Sequence, residues 1–297
     1  MYNKGTVKIK FSNGFGNNLF QYSFGRLFAE YHDMNYCHPA IPELDIKSEK
    51  FKFNDNFKII RFKGKNNLEA KKHDTNYYKY FRPFSEPCNF DFSRFIFYFE
   101  DYTIYKPYLN KIRSWFPLKT EKNVKDLVLH LRLQNRLVQN THYYNSIHPE
   151  IYTKVISNNF NFEKLYIVTD AEKWDYFSKN DVEKLHNRYR NEGERFVPIK
   201  KTIQYMNSFI DCFKRFNPIL RHSKKFIDDF NFMRSFDQII FKDSTFAWWA
   251  ATLSQSSKIG VFGPWKPNKK KRNKNLGKTD FDGWFSWGDI KDLKSMN

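Results

Sequence analysis

Two short segments of this chain bring together residue types suited to holding an anion. The apolar run Leu127-Val128-Leu129 leads as a strand into His130-Leu131-Arg132. Residues two apart in a strand share a face, so His130 and Arg132 point together while Leu129, Leu131 and Leu133 point the other way. A guanidinium beyond the carboxyl end of a strand in an open α/β sheet can grip a phosphate through its planar fork of donors. The plainer reading of such an arginine is a surface ion pair. In Asp243-Ser244-Thr245-Phe246, Ser244 or Thr245 can cap the helix that follows, and the N–H groups of its first turn form an anion site. The same residues suit a capped helix with Phe246, Trp248 and Trp249 packed in a core, and both readings can hold at once. A third segment, Gly14-Phe15-Gly16-Asn17-Asn18-Leu19-Phe20-Gln21, has two glycines where backbone must turn tightly or come close to a ligand. It lacks the third glycine of the dinucleotide pattern, and no carboxylate stands at the distance needed to hold a ribose, which argues against a nicotinamide or flavin enzyme. A tight turn with no ligand is the alternative.

The elements that must position these segments are legible in parts. Thr6 to Phe11 alternates as a strand, Ser12-Asn13-Gly14 turns, and Phe20, Phe24, Leu27, Phe28 and Tyr31 recur at helical spacing. Residues 35 to 110 show weak periodicity and several prolines, and no element is assigned there. Beyond them, Leu127 to Leu129, Leu165 to Val168 (ending at Thr169-Asp170), Gln238 to Phe241 and Lys258 to Phe262 read as strands. Lys242-Asp243-Ser244 reads as a turn and Thr245 to Leu253 as an apolar helix. Strands alternating with helices predict parallel β-α units and an α/β fold. Pro117 and the charged Lys119 to Lys122 run mark a boundary near residues 117 to 123, which predicts one domain over 1–118 and a second over 119–297.

Composition narrows the partners. The chain has 297 residues, of which 20% are aromatic, ample for a core and for a cleft. A formal net charge of +19 attracts anions in general: nucleic acid, an anionic membrane, an acidic glycan or a sugar diphosphate. The densest basic run, Lys269 to Arg272, lies beside Pro267 and Asn268 and reads as an exposed, solvated loop. Cys37, Cys88 and Cys212 are far apart in sequence and form no C-x-x-C pair, which suits a reducing compartment and gives no zinc motif. The opening residues carry no apolar leader or anchor, so a soluble, cytoplasmic protein without a membrane span is expected.

Taken together, the segments resemble the α-1,2-fucosyltransferase family (glycosyltransferase family 11), and more distantly the protein O-fucosyltransferases. Gly14 to Tyr22 is similar to that family's G-L-G-N-Q-x-F-Q-Y opening, and His130-Leu131-Arg132 to the start of its H-x-R-R-G-D element. Tyr166 to Asp170 with Trp174, the Asp229 to Met233 helix, and Pro264-Trp265 also match in order. The closest likeness is Ser244 to Leu253, set against S-[ST]-F-S-W-W-G-A-W-L. The resemblance implies a GT-B fold of two Rossmann-like domains facing across a cleft, with a GDP-sugar held mainly by the second. It implies Arg132 on the diphosphate, His130 and Asp170 near the guanine, and Ser244, Thr245 and Phe246 lining the phosphate pocket. Gly14 and Gly16 would lie beside the donor, and Asn17 would face the reacting sugar. One departure stands out: Leu133-Gln134-Asn135-Arg136 replaces the family's Arg-Gly-Asp, so a second arginine and an acidic residue are missing, and Arg136 would restore part of the charge.

The implied reaction transfers fucose from GDP-fucose to a glycan hydroxyl with inversion and without cofactor. The chain has no Asp-x-Asp-like motif or clustered histidines, so no metal is expected. His38, Glu43 and Asp45 are candidates for the base that assists the acceptor hydroxyl. Two alternatives remain at this level: another nucleotide-deoxysugar donor such as rhamnose, and a basic protein that stacks nucleic-acid bases on its aromatics.

Overall fold

The computed structural model describes residues 5–12, 14–61, 86–93, 99–100, 104–133, 148–189, 197–242, 244–262 and 284–287. The chain is α/β. It divides into two compact units, with the described residues up to Pro117 in one and those from Leu118 in the other.

The first unit starts with β1 (Thr6–Lys8), α1 (Phe15–Tyr31) and β2 (Asn35–Cys37), and continues with β3 (Lys58–Arg61), β4 (Cys88–Asp91) and α2 (Leu109–Trp115). Its four strands are all parallel, in the order β2-β1-β4-β3. The strand expected over Thr6 to Phe11 closes after Lys8, and the stretch from 35 to 110 holds β2, β3 and β4 and leads into α2. Each of those strands is three or four residues long, too short to show a period. Aromatic rings fill the core: Phe24 stacks on Phe99 at 3.9 Å, and Phe28 meets Phe90 at 4.8 Å. Two glycines permit further close approaches in this unit. A Cβ on Gly25 would stand 2.4 Å from Ile9 Cδ1 and 2.5 Å from the Tyr36 ring, so its absence lets α1 lie against this end of the sheet. Gly5, at φ +117, passes so near the Cys88 carbonyl that a Cβ would lie 2.0 Å from its oxygen.

The second unit opens with β5 (Asn123–Leu131), α3 (Pro149–Asn159), β6 (Leu165–Thr169), α4 (Lys179–Tyr189) and α5 (Ile199–Phe213). It goes on through β7 (Ile219–Arg221), α6 (Phe226–Arg234), β8 (Phe236–Lys242), α7 (Thr245–Ser254), β9 (Lys258–Phe262) and β10 (Trp284–Trp287). All neighbouring strands are parallel, in the spatial order β10-β9-β8-β5-β6-β7. Numbered by their appearance in this unit, that order is 3-2-1-4-5-6, the doubly wound arrangement in which the winding reverses between the first and fourth strands. Here the reversal falls between β5 and β8, which pair in register from Leu127↔Gln238 to His130↔Phe241.

Strand alternation sorts the core of this unit. Leu127, Leu129, Leu131 and Leu133 share one face with Ile167 and Ile240, and pack there on Tyr152, Val155 and Ile156 of α3 and Met206, Phe209 and Phe213 of α5. His130 points to the other face, where α6 and α7 lie; its ring is 5.8 Å from that of Phe246. Trp248 and Trp249 on α7 are wholly buried, as the core reading of that helix requires. Among the described residues no helix is long and apolar enough to cross a membrane. Asp243, Arg136, Pro264-Trp265 and the Lys269 to Arg272 run lie outside the described residues.

Candidate functional site

Ligands of open α/β sheets bind beyond the carboxyl ends of the strands, at the point where the winding reverses. Two of the three segments singled out in the sequence meet there. Strand β5 ends at Leu131, and Arg132 follows it, exposed, while Leu133 turns back into the core at 4% exposure. The turn is held by Asp170, one residue past β6, whose Oδ1 accepts the Leu133 N–H at 2.6 Å. The bond fixes the backbone on which Arg132 stands. It is available only because β5 and β6 are neighbours.

Across the reversal, Ser244 takes an extended conformation and caps α7. Its Oγ accepts the Ala247 N–H at 3.3 Å, and its carbonyl accepts from Trp248 N at 2.9 Å. A helix supplies no acceptor for the N–H groups of its first turn, and these carry the positive end of the helix dipole. Thr245 and Phe246 occupy that turn, both half-buried. The Phe246 ring lies between those of His130, at 5.8 Å, and Phe230 of α6, at 5.3 Å.

His130 is 7% exposed, and its Nδ1 has no hydrogen-bond partner among the described residues. Burial, with the Arg132 charge adding to it, lowers its pKa to about 3, so the imidazole is neutral over the physiological range. A neutral ring with an unpartnered nitrogen thus lies against the first turn of α7, two residues before Arg132.

One residue here escaped the sequence reading. Lys242 reads in sequence as a turn residue, but it is the last residue of β8 and 6% exposed. It stands one register step beyond the His130↔Phe241 pair. It lines a small cavity with Leu131, Arg132 and Leu133 on the strand side and Tyr152, Tyr205 and Phe209 on the helix side. The available signal was parity: a lysine two residues after the buried Ile240, on the same face of an apolar strand.

Gly14, Gly16 and Asn17 belong to the first unit and open α1 there. Gly14 is the helix N-cap with φ −77, its carbonyl accepting from Asn17 N at 3.0 Å and Asn18 N at 3.1 Å. These values bear on the tight-turn reading of Gly14 alone, which they do not require. That φ is open to any residue, and a Cβ at Gly14 would meet nothing within 4 Å. Gly16 is buried and Asn17 half-buried in the first turn of α1. Of the three base candidates, Glu43 and Asp45 are exposed. His38 is buried, with Nδ1 donating to the Pro39 carbonyl at 2.7 Å, which leaves Nε2 as the acceptor. Burial lowers its pKa.

No protein-family model matches this chain, and no curated protein matches it.

Proposed function

We propose that this protein is an inverting, metal-independent glycosyltransferase of GT-B type, moving fucose from GDP-fucose to a hydroxyl of a glycan acceptor. The observation that carries the reading is the pairing of β5 with β8, which brings the Arg132 turn and the capped start of α7 to the same edge of one sheet, where its winding reverses. Supporting it are the likeness of Ser244 to Leu253 and Gly14 to Tyr22 to the α-1,2-fucosyltransferase motifs, and the neutral His130 beside Arg132.

In the proposed reaction the acceptor oxygen bonds to the anomeric carbon from one side while the bond to the diphosphate oxygen breaks on the other. The acceptor proton passes to a base, and negative charge gathers on the departing GDP. The guanidinium of Arg132 and the first-turn amides of α7 are preorganised to meet that charge, and such fixed donors are usually the largest single contribution to catalysis. They supply the neutralisation without a cation. Asp170 would act through the backbone, holding the Arg132 turn in place. In the GT-B reading the first unit, with Asn17, would carry the acceptor side.

Calorimetric titration with GDP, GDP-fucose, UDP and UDP-rhamnose, with no metal added, tests the reading. GDP and GDP-fucose should bind and the uridine nucleotides should not. Preference for UDP-rhamnose would transfer the same scaffold to another deoxysugar, and absence of binding to all four would end the proposal.

A further inference from the structure

A second cluster lies on the helical side of the second unit, where α3 and α5 meet. His148 is the N-cap residue of α3, Glu150 stands in the first turn of that helix, and Cys212 is near the end of α5. One ligand atom from each of the three lies within 4.8 Å of the others. His148 Nδ1 is 3.7 Å from Glu150 Oε2, and accepts the Glu150 N–H at a long 3.4 Å, a weak bond that costs little to exchange. His148 and Glu150 are exposed and Cys212 is half-buried, so all three can be reached; Cys37 and Cys88 are buried.

We propose that His148, Glu150 and Cys212 form a binding site for one borderline-soft divalent cation, Zn²⁺ foremost, which clips the amino end of α3 to α5. The proposal rests on no reading of the nucleotide site. An imidazole, a carboxylate and a thiolate are the three ligand types that Zn²⁺ takes, and a fourth position remains for water. Bonds of about 2.0 to 2.3 Å set tetrahedral ligand atoms ~3.3 to 3.8 Å apart, so closure asks for roughly 1 Å of inward movement, open to the exposed His148 and Glu150 side chains.

Charge around the cluster favours a cation although the chain as a whole carries +19. Partial burial, then the carboxylates of Glu150 and Asp211, push the Cys212 thiol pKa up, against the Arg215 charge, which lowers it. The same carboxylates would attract a dication. Asp211 is engaged by the Tyr176 hydroxyl, and Arg215, the nearby positive group, is turned along α3 by bonds to Thr153 O and Ser157 Oγ, each 2.9 Å. On binding, the S–H bond breaks, sulfur keeps the electron pair and bonds the metal, and the proton leaves to solvent.

Titration of the tag-free, reduced full chain with Co²⁺ tests this through the thiolate-to-cobalt charge-transfer band, with Zn²⁺ added to displace it. The expected result is one equivalent of Co²⁺, a band displaced by Zn²⁺, and loss of that band in Cys212→Ser. Glu150→Gln and His148→Ala, at exposed positions, should each weaken Zn²⁺ affinity by about 10-fold or more. No band in the folded parent protein, a band that persists in Cys212→Ser, or unchanged Zn²⁺ affinity in both exposed variants would each overturn the proposal.

Discussion

Replacing Arg132 by alanine should separate folding from chemistry. The side chain is exposed beyond the end of β5, at the rim of the small cavity it lines, so its removal takes away little packed surface. Such surface changes move stability by no more than ~0.5 kcal/mol. Its proposed work lies elsewhere. Loss of one preorganised donor to a developing anion costs ~3 to 4 kcal/mol of transition-state stabilisation, or roughly 10² to 10³ in turnover. Ground-state affinity for GDP should fall less, by ~1.5 to 3 kcal/mol, the value of a hydrogen bond to a charged group. Arg132→Lys keeps the charge but not the planar fork, and should fall between parent and alanine variants. The assay is release of GDP from GDP-fucose with acceptor present, run beside thermal denaturation and calorimetric titration of GDP. Turnover within a few-fold of the parent, or loss of activity accompanied by a lowered melting temperature, would refute the reasoning.

Three further outcomes follow from particular contacts. Ser244→Ala removes a long cap of 3.3 Å, so it should cost ~0.5 to 1 kcal/mol and lower the melting temperature by about 1 to 4 °C. His130 has its pKa lowered to about 3 in the folded chain against 6.5 unfolded, so between those values the unfolded state binds the extra proton and stability falls as pH drops. That slope amounts to ~1.4 kcal/mol per pH unit at most, and denaturant titrations between pH 6 and pH 4 should find it reduced in His130→Phe. Gly25→Ala should destabilise by ~1 to 3 kcal/mol in equilibrium unfolding, although alanine is the better helix former, because the added methyl overlaps Ile9 and Tyr36.

Parts of the candidate site could be read from the chain because their cause is local. Helix propensity and capping place a helix start at Ser244-Thr245, and strand parity sets His130 and Arg132 apart from Leu129, Leu131 and Leu133. The α/β class follows from the same alternation of strands and helices. Elsewhere in the chain the local signal is thin. The three- and four-residue strands β2, β3 and β4 show no period, and Lys242 passed for a turn residue because polarity outweighed its parity beside Ile240.

What the amino-acid order determined, then, is each segment's own conformation: a strand ending near Arg132, and a helix opening after Ser244 on a run of buried tryptophans. Only the tertiary structure decided that those two segments are neighbours. His130 and Phe241 are paired across more than a hundred residues of intervening chain, and that choice is made by the joint packing of six parallel strands between two layers of helices, which no stretch of local sequence records. The same holds for Asp170 on the Leu133 amide and for Cys212 beside His148, contacts that exist because whole elements were laid side by side.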